Sequence, residues 1–240
     1  MVLNQNKKED CRICNEIAGK TEGNLFCEIF QDTGWRNFII HQSDNFCVLP
    51  SLGQIVEGYS LIVPKSHYTC IGSLPERLIE ELIALKKEVV SLYSQLYSDV
   101  IFFEHGCISD VIKGGSCVTH CHLNLIPIKT QKNLVKAISG YLEMPAKELR
   151  TYHELRSQYM KKVPYLFYED SCGKIFLFET PILPSQFFRQ LLAKELGCVE
   201  KWDWRRYIGK KEVSEFFKKI NVIKKKEKQY LTCLPSKYHP

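Results

Sequence analysis

The stretch His120-Cys121-His122-Leu123-Asn124-Leu125-Ile126-Pro127 constrains the fold of this chain more than any other segment. Its polar side chains stand at every second position, with Cys121, Leu123 and Leu125 between them. A period of two is strand geometry, so His120, His122 and Asn124 are predicted to share one sheet face and the apolar set the other. Gly114, Gly115 and Ser116 stand just upstream, where successive backbone N–H groups can turn toward an anion. Two imidazoles and an amide beside a glycine turn point to chemistry on phosphate.

The surrounding pattern reads as α+β with an antiparallel sheet. Strand candidates are Phe26 to Phe30 and Asn37 to His41 around the turn Asp32-Thr33-Gly34, then Phe46 to Pro50 and Tyr59 to Pro64. Pro75 opens a helix in which Leu78, Leu82, Leu85 and Val89 recur at helical spacing through about Ser98. Val100 to Glu104 is the strand before the glycine loop. The absence of βαβ repeats argues against a Rossmann domain. Further on, Pro145 to about Met160 reads as a charged helix, and Tyr165 to Tyr168 with Ile175 to Phe178 as a hairpin around Ser171-Cys172-Gly173. Pro184 to Leu196 and Glu212 to Ile220 read as amphipathic helices. The division expected is a nucleotide-binding domain over 1–130 and an extension of hairpin, helices and basic tail over 131–240.

Charge and cysteine usage narrow the class. The net charge of +6 fits an anionic substrate, but much of it lies in Lys218, Lys219, Lys224, Lys225, Lys226 and Lys228. Such a run reads more readily as a solvated helix end than as a nucleic-acid patch. The eleven cysteines are scattered and odd in number. With a polar start and no apolar run of membrane-spanning length, the expectation is a cytoplasmic protein with reduced cysteines and no membrane association.

A neutral imidazole is a good nucleophile toward phosphorus and can carry a nucleotidyl group between two half-reactions. Its second ring nitrogen must keep a proton and find an acceptor, which fixes the tautomer. H-x-H alone reads equally well as two satisfied polar residues on a sheet. Five ordered segments change that balance: Cys11-Arg-Ile-Cys14, Phe46 to Ser51, Gly58 to His67, Phe103 to Gly106 and Gly115 to His122. Together they resemble the histidine triad superfamily of nucleotide hydrolases and transferases, over residues 11 to 128. The resemblance implies that His122 is the nucleophile on the α-phosphorus and that Gly115, Ser116 and the backbone at Cys117 hold the phosphate. It places Ser51 at the ribose and Glu104 near the phosphates, with the base in an apolar cleft of Leu49, Leu52 and Ile62. It also implies a nucleotide or dinucleotide substrate and a homodimer.

Two positions depart from the family pattern: its third histidine is Asn124 here, and the histidine before its second strand is Tyr59. An amide can donate a hydrogen bond to a leaving oxygen but cannot deliver a proton. Phosphoric anhydrides, whose leaving groups depart as stable anions, are therefore expected over phosphoramidates. Cys11 and Cys14 have the separation with which two thiolates share one Zn²⁺, and two more ligands are needed. The resemblance supplies them as His67 and His120, which implies a structural ion. His41 and His105 read as ordinary histidines and Cys121 as core. Residues 163 to 220, with Pro184 to Ala193 and Trp202 to Arg205, loosely resemble the end of the CwfJ family, associated with splicing or lariat debranching. The competing readings are a decayed nucleotide- or RNA-binding module of that type and a processor of adenylated DNA or RNA ends.

Overall fold

A computed structural model describes residues 10–20, 22, 24–30, 38–128, 133–180 and 182–233, with side chains through residue 226. In chain order its elements are α1 (Arg12–Ile17), α2 (Leu25–Ile29), β1 (His41–Gln42), β2 (Phe46–Pro50), β3 (Ser60–Pro64), α3 (Glu76–Ser94), β4 (Val100–Gly106) and β5 (Leu123–Pro127). There follow α4 (Leu134–Leu142), β6 (Lys147–Leu149), α5 (Leu155–Lys161), β7 (Tyr165–Glu169), β8 (Ile175–Glu179), α6 (Phe187–Glu195) and α7 (Lys210–Cys233). The architecture is α+β, as the alternation predicts. One antiparallel sheet runs β1-β2-β3-β5-β4-β7-β8-β6. It crosses the expected boundary at residue 130 without a break, because β7 pairs with β4 from Phe102↔Glu169 to Gly106↔Tyr165.

Cross-strand partners share a face, so the register sorts the chemistry. Ser60, Leu125, Phe102 and Glu169 form one row. That face carries α3: the Tyr93 hydroxyl lies 2.5 Å from Ser60 Oγ, and Lys86 pairs with Glu169. Leu61, Asn124, Phe103 and Tyr168 form the next row on the opposite face. There α6 packs, with the Phe188 ring 4.3 Å from Phe103 and 5.6 Å from Tyr168. One contiguous core joins both halves of the chain.

Several local expectations change. Phe26 to Phe30 is helical because Asn24 caps α2, its side chain accepting from the Cys27 N–H at 3.1 Å. The turn at 32–34 and Asn37 lie outside the described residues. Within 145–160 the chain first forms β6, and the helix begins only after Thr151-Tyr-His-Glu154, a capping box in which Glu154 Oε1 accepts from the Thr151 N–H. The helix α4, capped by Asn133, is additional. The hairpin and both late helices form, α7 running well past Ile220 and carrying the lysine run. No described helix is long and apolar enough to cross a membrane.

Candidate active site and metal cluster

The histidine segment is paired only from Leu123 onward. Before that, the Cys121 N–H donates to Tyr68 O at 2.6 Å, outside the sheet ladder. The facing still alternates: Cys121 lies with Glu104 on the α3 side, while His122 and Asn124 line a cleft on the other. His120 turns toward α1. Its Nε2–H donates to Pro64 O at 2.8 Å, which leaves Nδ1 with a lone pair facing Cys11 Sγ and Cys14 Sγ, each at 3.5 Å. His67 Nδ1 stands 3.5 Å from Cys14 Sγ. These four ligand atoms lie within 4.8 Å of one another, close enough to bind a metal. Zn–S near 2.3 Å and Zn–N near 2.0 Å in a tetrahedron set sulfur–nitrogen edges of about 3.5 Å. Three sulfur–nitrogen separations of the cluster match that edge, and two thiolates with two imidazoles are a donor set that suits Zn²⁺.

His122 is held by its own chain. Its Nδ1–H donates to His120 O at 2.7 Å, so Nε2 carries the lone pair. Burial, the largest cause, pulls its pKa down to about 4, keeping the ring neutral. Asn124 is fully committed: Nδ2 donates to Phe103 O at 3.1 Å and to His122 O at 3.3 Å, and Oδ1 accepts from Tyr59 OH at 2.6 Å. The two departures from the family pattern are thus partners of each other. Asn124 braces the backbone of His122, and no amide hydrogen is left over for a leaving oxygen. Tyr59→Phe leaves Oδ1 of this buried amide without a donor and is expected to cost about 1–3 kcal/mol in urea unfolding. A change within about 0.5 kcal/mol would show the pair to be dispensable.

The other expected site residues divide. Ser51, Leu52 and Cys117 line the cleft. Glu104 does not: strand parity turns it to the α3 face, 1% exposed, where it accepts from the Ile71 N–H (2.8 Å), Tyr165 OH (2.7 Å) and Cys121 Sγ (3.4 Å). Gly115 and Ser116 stand behind the cleft. A Cβ on Gly115, at φ +85°, would meet Leu183 Cβ at 2.8 Å, and the Ser116 N–H is spent on Lys113 O. Leu49 and Ile62 are closed into the core. His105 accepts from the Phe188 N–H at 3.3 Å, burial holding its pKa near 3, and His41 pairs with Glu88 at the surface.

The cleft residues that escaped the sequence reading include two cations and a large aromatic: Arg12, Arg189 and Trp204. Arg12 belongs to the Cys11–Cys14 turn and lies 4.4 Å over the Trp204 ring. Trp204 and Arg189 reach the cleft from the second half of the chain through the gap left by Gly53, where a Cβ would stand 2.4 Å from Trp204 Cβ and 2.7 Å from Arg189 Nη2. With this cover in place the cleft holds about 40 Å³, room for a few waters or a phosphoryl group rather than a nucleoside.

Fold and site together define an α+β protein with a largely buried two-cysteine, two-histidine cluster and, two residues past its last ligand, a histidine-lined cleft. The chain belongs to the CwfJ C-terminal family, whose model, described as "Protein similar to CwfJ C-terminal", matches residues 4–141. The match covers the cluster and His122, whereas residues 163–220, where the sequence suggested that family, lie beyond it. The CWF19-like protein mug161 of Schizosaccharomyces pombe is 28% identical over 173 residues, 67% of this chain and 29% of the relative. Zinc finger CCCH domain-containing protein 64 of Arabidopsis thaliana is 23% identical over 210 residues, 80% of this chain and 33% of the relative. The chain thus spans about a third of the length of these curated relatives. Among solved structures, a histidine triad protein from Clostridium difficile aligns over 52% of this chain and 96% of its own, with 18% identity and a TM-score of 0.38. A Zn-bound histidine triad family protein from Mycobacterium smegmatis aligns over 57% and 94%, with 16% identity and a TM-score of 0.35.

Proposed function

We propose that the His122 cleft acts on a nucleotide phosphoanhydride at the α-phosphorus, as a hydrolase or nucleotidyl transferase. The observation that carries this reading is the locked tautomer: Nδ1–H is spent on His120 O, and Nε2 is the nucleophilic atom of a neutral ring that lines the cleft. In the first step Nε2 bonds to phosphorus and the bond to the polyphosphate oxygen breaks, its electron pair leaving with the polyphosphate. In the second, water or another phosphate oxygen attacks phosphorus and the bond to Nε2 breaks. Asn124 moves no proton; it holds the His122 carbonyl and hence the strand that presents the ring. A leaving group that departs as an anion suits such a site.

Cys11, Cys14, His67 and His120 are proposed to hold Zn²⁺. Four protein ligands close its coordination shell, so the ion ties α1 to the strand and supplies no Lewis acid. Incubation with a labelled dinucleoside polyphosphate should trap an acid-labile, base-stable nucleotidyl adduct on wild type. His122→Ala should lose the adduct and at least nine-tenths of turnover while keeping its metal. Residual turnover above about a tenth of wild type would remove His122 from the role.

The second reading, a non-catalytic module that binds a nucleotide or RNA phosphate, draws on the small covered cleft and the committed amide. Nucleotide binding by wild type with neither adduct nor turnover would establish it over the first.

A further inference from the structure

The guanidinium of Arg189 is an unusual thing to bury. The residue is 5% exposed and carries three hydrogen bonds to backbone carbonyls, Nε to Trp202 O at 2.8 Å and Nη2 to Gly53 O at 2.5 Å and to Lys201 O at 3.4 Å, with the Tyr59 hydroxyl as a further neutral partner. Its charge centre lies 5.0 Å over the Tyr59 ring. None of the ion pairs among the described residues involves it. Arg12, the other cationic side chain that the described cleft lining includes, has Glu16 at 3.0 Å, and no carboxylate among the described residues lines the cleft. A buried cation is normally paired with an anion. Here the unmatched charge borders a cavity of about 40 Å³ that also contains His122.

We propose that Arg189 is the anion anchor of this cleft, holding a phosphoryl group against His122, so that the second half of the chain completes the site. The inference rests on the proposed phosphoryl chemistry and deepens it by naming what enters: the phosphate of a ligand whose nucleoside or chain stays outside Trp204. Of the donors expected for that task the Ser116 N–H is spent on Lys113 O, and a planar guanidinium held by three carbonyls presents its remaining N–H groups without further ordering. The carbonyl bonds fix the fork in place, and the Tyr59 ring beneath it links the anchor to the Asn124 brace.

Inorganic phosphate is the probe, with binding to the full chain read by calorimetry at low and moderate salt. Arg189→Gln should weaken phosphate binding at least about tenfold, the usual reach of one charge-assisted contact. Arg189→Lys, which keeps the charge but not the fork, should retain most of it. Equal loss in the Lys and Gln variants would assign Arg189 a structural role and overturn the proposal, as would undiminished binding by Arg189→Gln. Should Arg189→Gln fail to fold, crystals of the wild-type protein soaked in tungstate decide: an anomalous peak within hydrogen-bond reach of Arg189 and His122 supports the anchor, and its absence there sinks it. Phosphate binding that depends on residue 189 without any His122 adduct would instead refute the catalytic reading and leave the anchor standing.

Discussion

Serine in place of Cys14 is expected to release the metal and to lower the unfolding midpoint by about 10 °C. The helix α1 has only six residues and no side-chain cap. So short a helix has little stability of its own. Cys11 and Cys14 bring it within metal-ligand reach of His67, from the loop after β3, and of His120, just before β5. A structural zinc site contributes folding free energy outright, roughly 10–16 kcal/mol of apparent binding in small domains. Losing one ligand of four should cost a few kcal/mol, and each kcal/mol moves the midpoint of a chain this size by about 2–4 °C. Metal analysis after mild purification gives the companion measurement. Less than about half a zinc per wild-type chain, or unchanged zinc and midpoint in Cys14→Ser, would count against the site.

Glu104→Gln should make the protein more stable above pH 7 and leave it little changed at pH 4. Burial is the largest influence on this carboxyl and raises its pKa from 4.5 to about 7, against the lowering effect of hydrogen bonds from Tyr165, Ile71 and Cys121. An acid whose folded pKa is raised binds more protons folded than unfolded between those two values. Stability therefore falls as pH rises through that window, and the full cost is present above it. At about 1.4 kcal/mol per unit the full cost is about 3–4 kcal/mol. Glutamine keeps the carbonyl that accepts from Ile71 and carries no charge to desolvate. Urea unfolding of both proteins at pH 4.5 and pH 8 isolates the effect, since other titrating groups cancel in the difference. Parallel pH profiles would show that Glu104 is neutralised in some other way.

These residues also show how far the sequence could be read. Alternation from His120 onward gave the correct facing of Cys121, His122 and Asn124, and the long apolar period of α3 gave its helix. The same logic of parity was available for Glu104, whose neighbour Phe103 belongs to the cleft row, but resemblance to a motif drew it to the wrong face. Pairing of Asn124 with Tyr59 could not be read, because cross-strand register is not written in either segment. Arg189 and Trp204 lay further out of reach. In sequence Arg189 is one polar position in an amphipathic helix, and only the space left by Gly53 explains why it is buried in the cleft. The local surprises at Asn24 and Thr151 were caps, legible as side chains but passed over, the first for β-like composition around it and the second for a helix expected to start at Pro145.

The place of β4 in the sheet has a consequence for how the chain is made. Its outer edge is closed by β7, and Tyr165 lies roughly 60 residues after Gly106. At ribosomal rates of about 5–20 residues per second, the strand Val100–Gly106 leaves the exit tunnel several seconds before its partner exists. During that interval the nascent chain displays an unpaired, largely apolar sheet edge, the kind that other polypeptides can join. Biogenesis of this protein thus contains a timed window of vulnerability, which ends when the hairpin of β7 and β8 arrives.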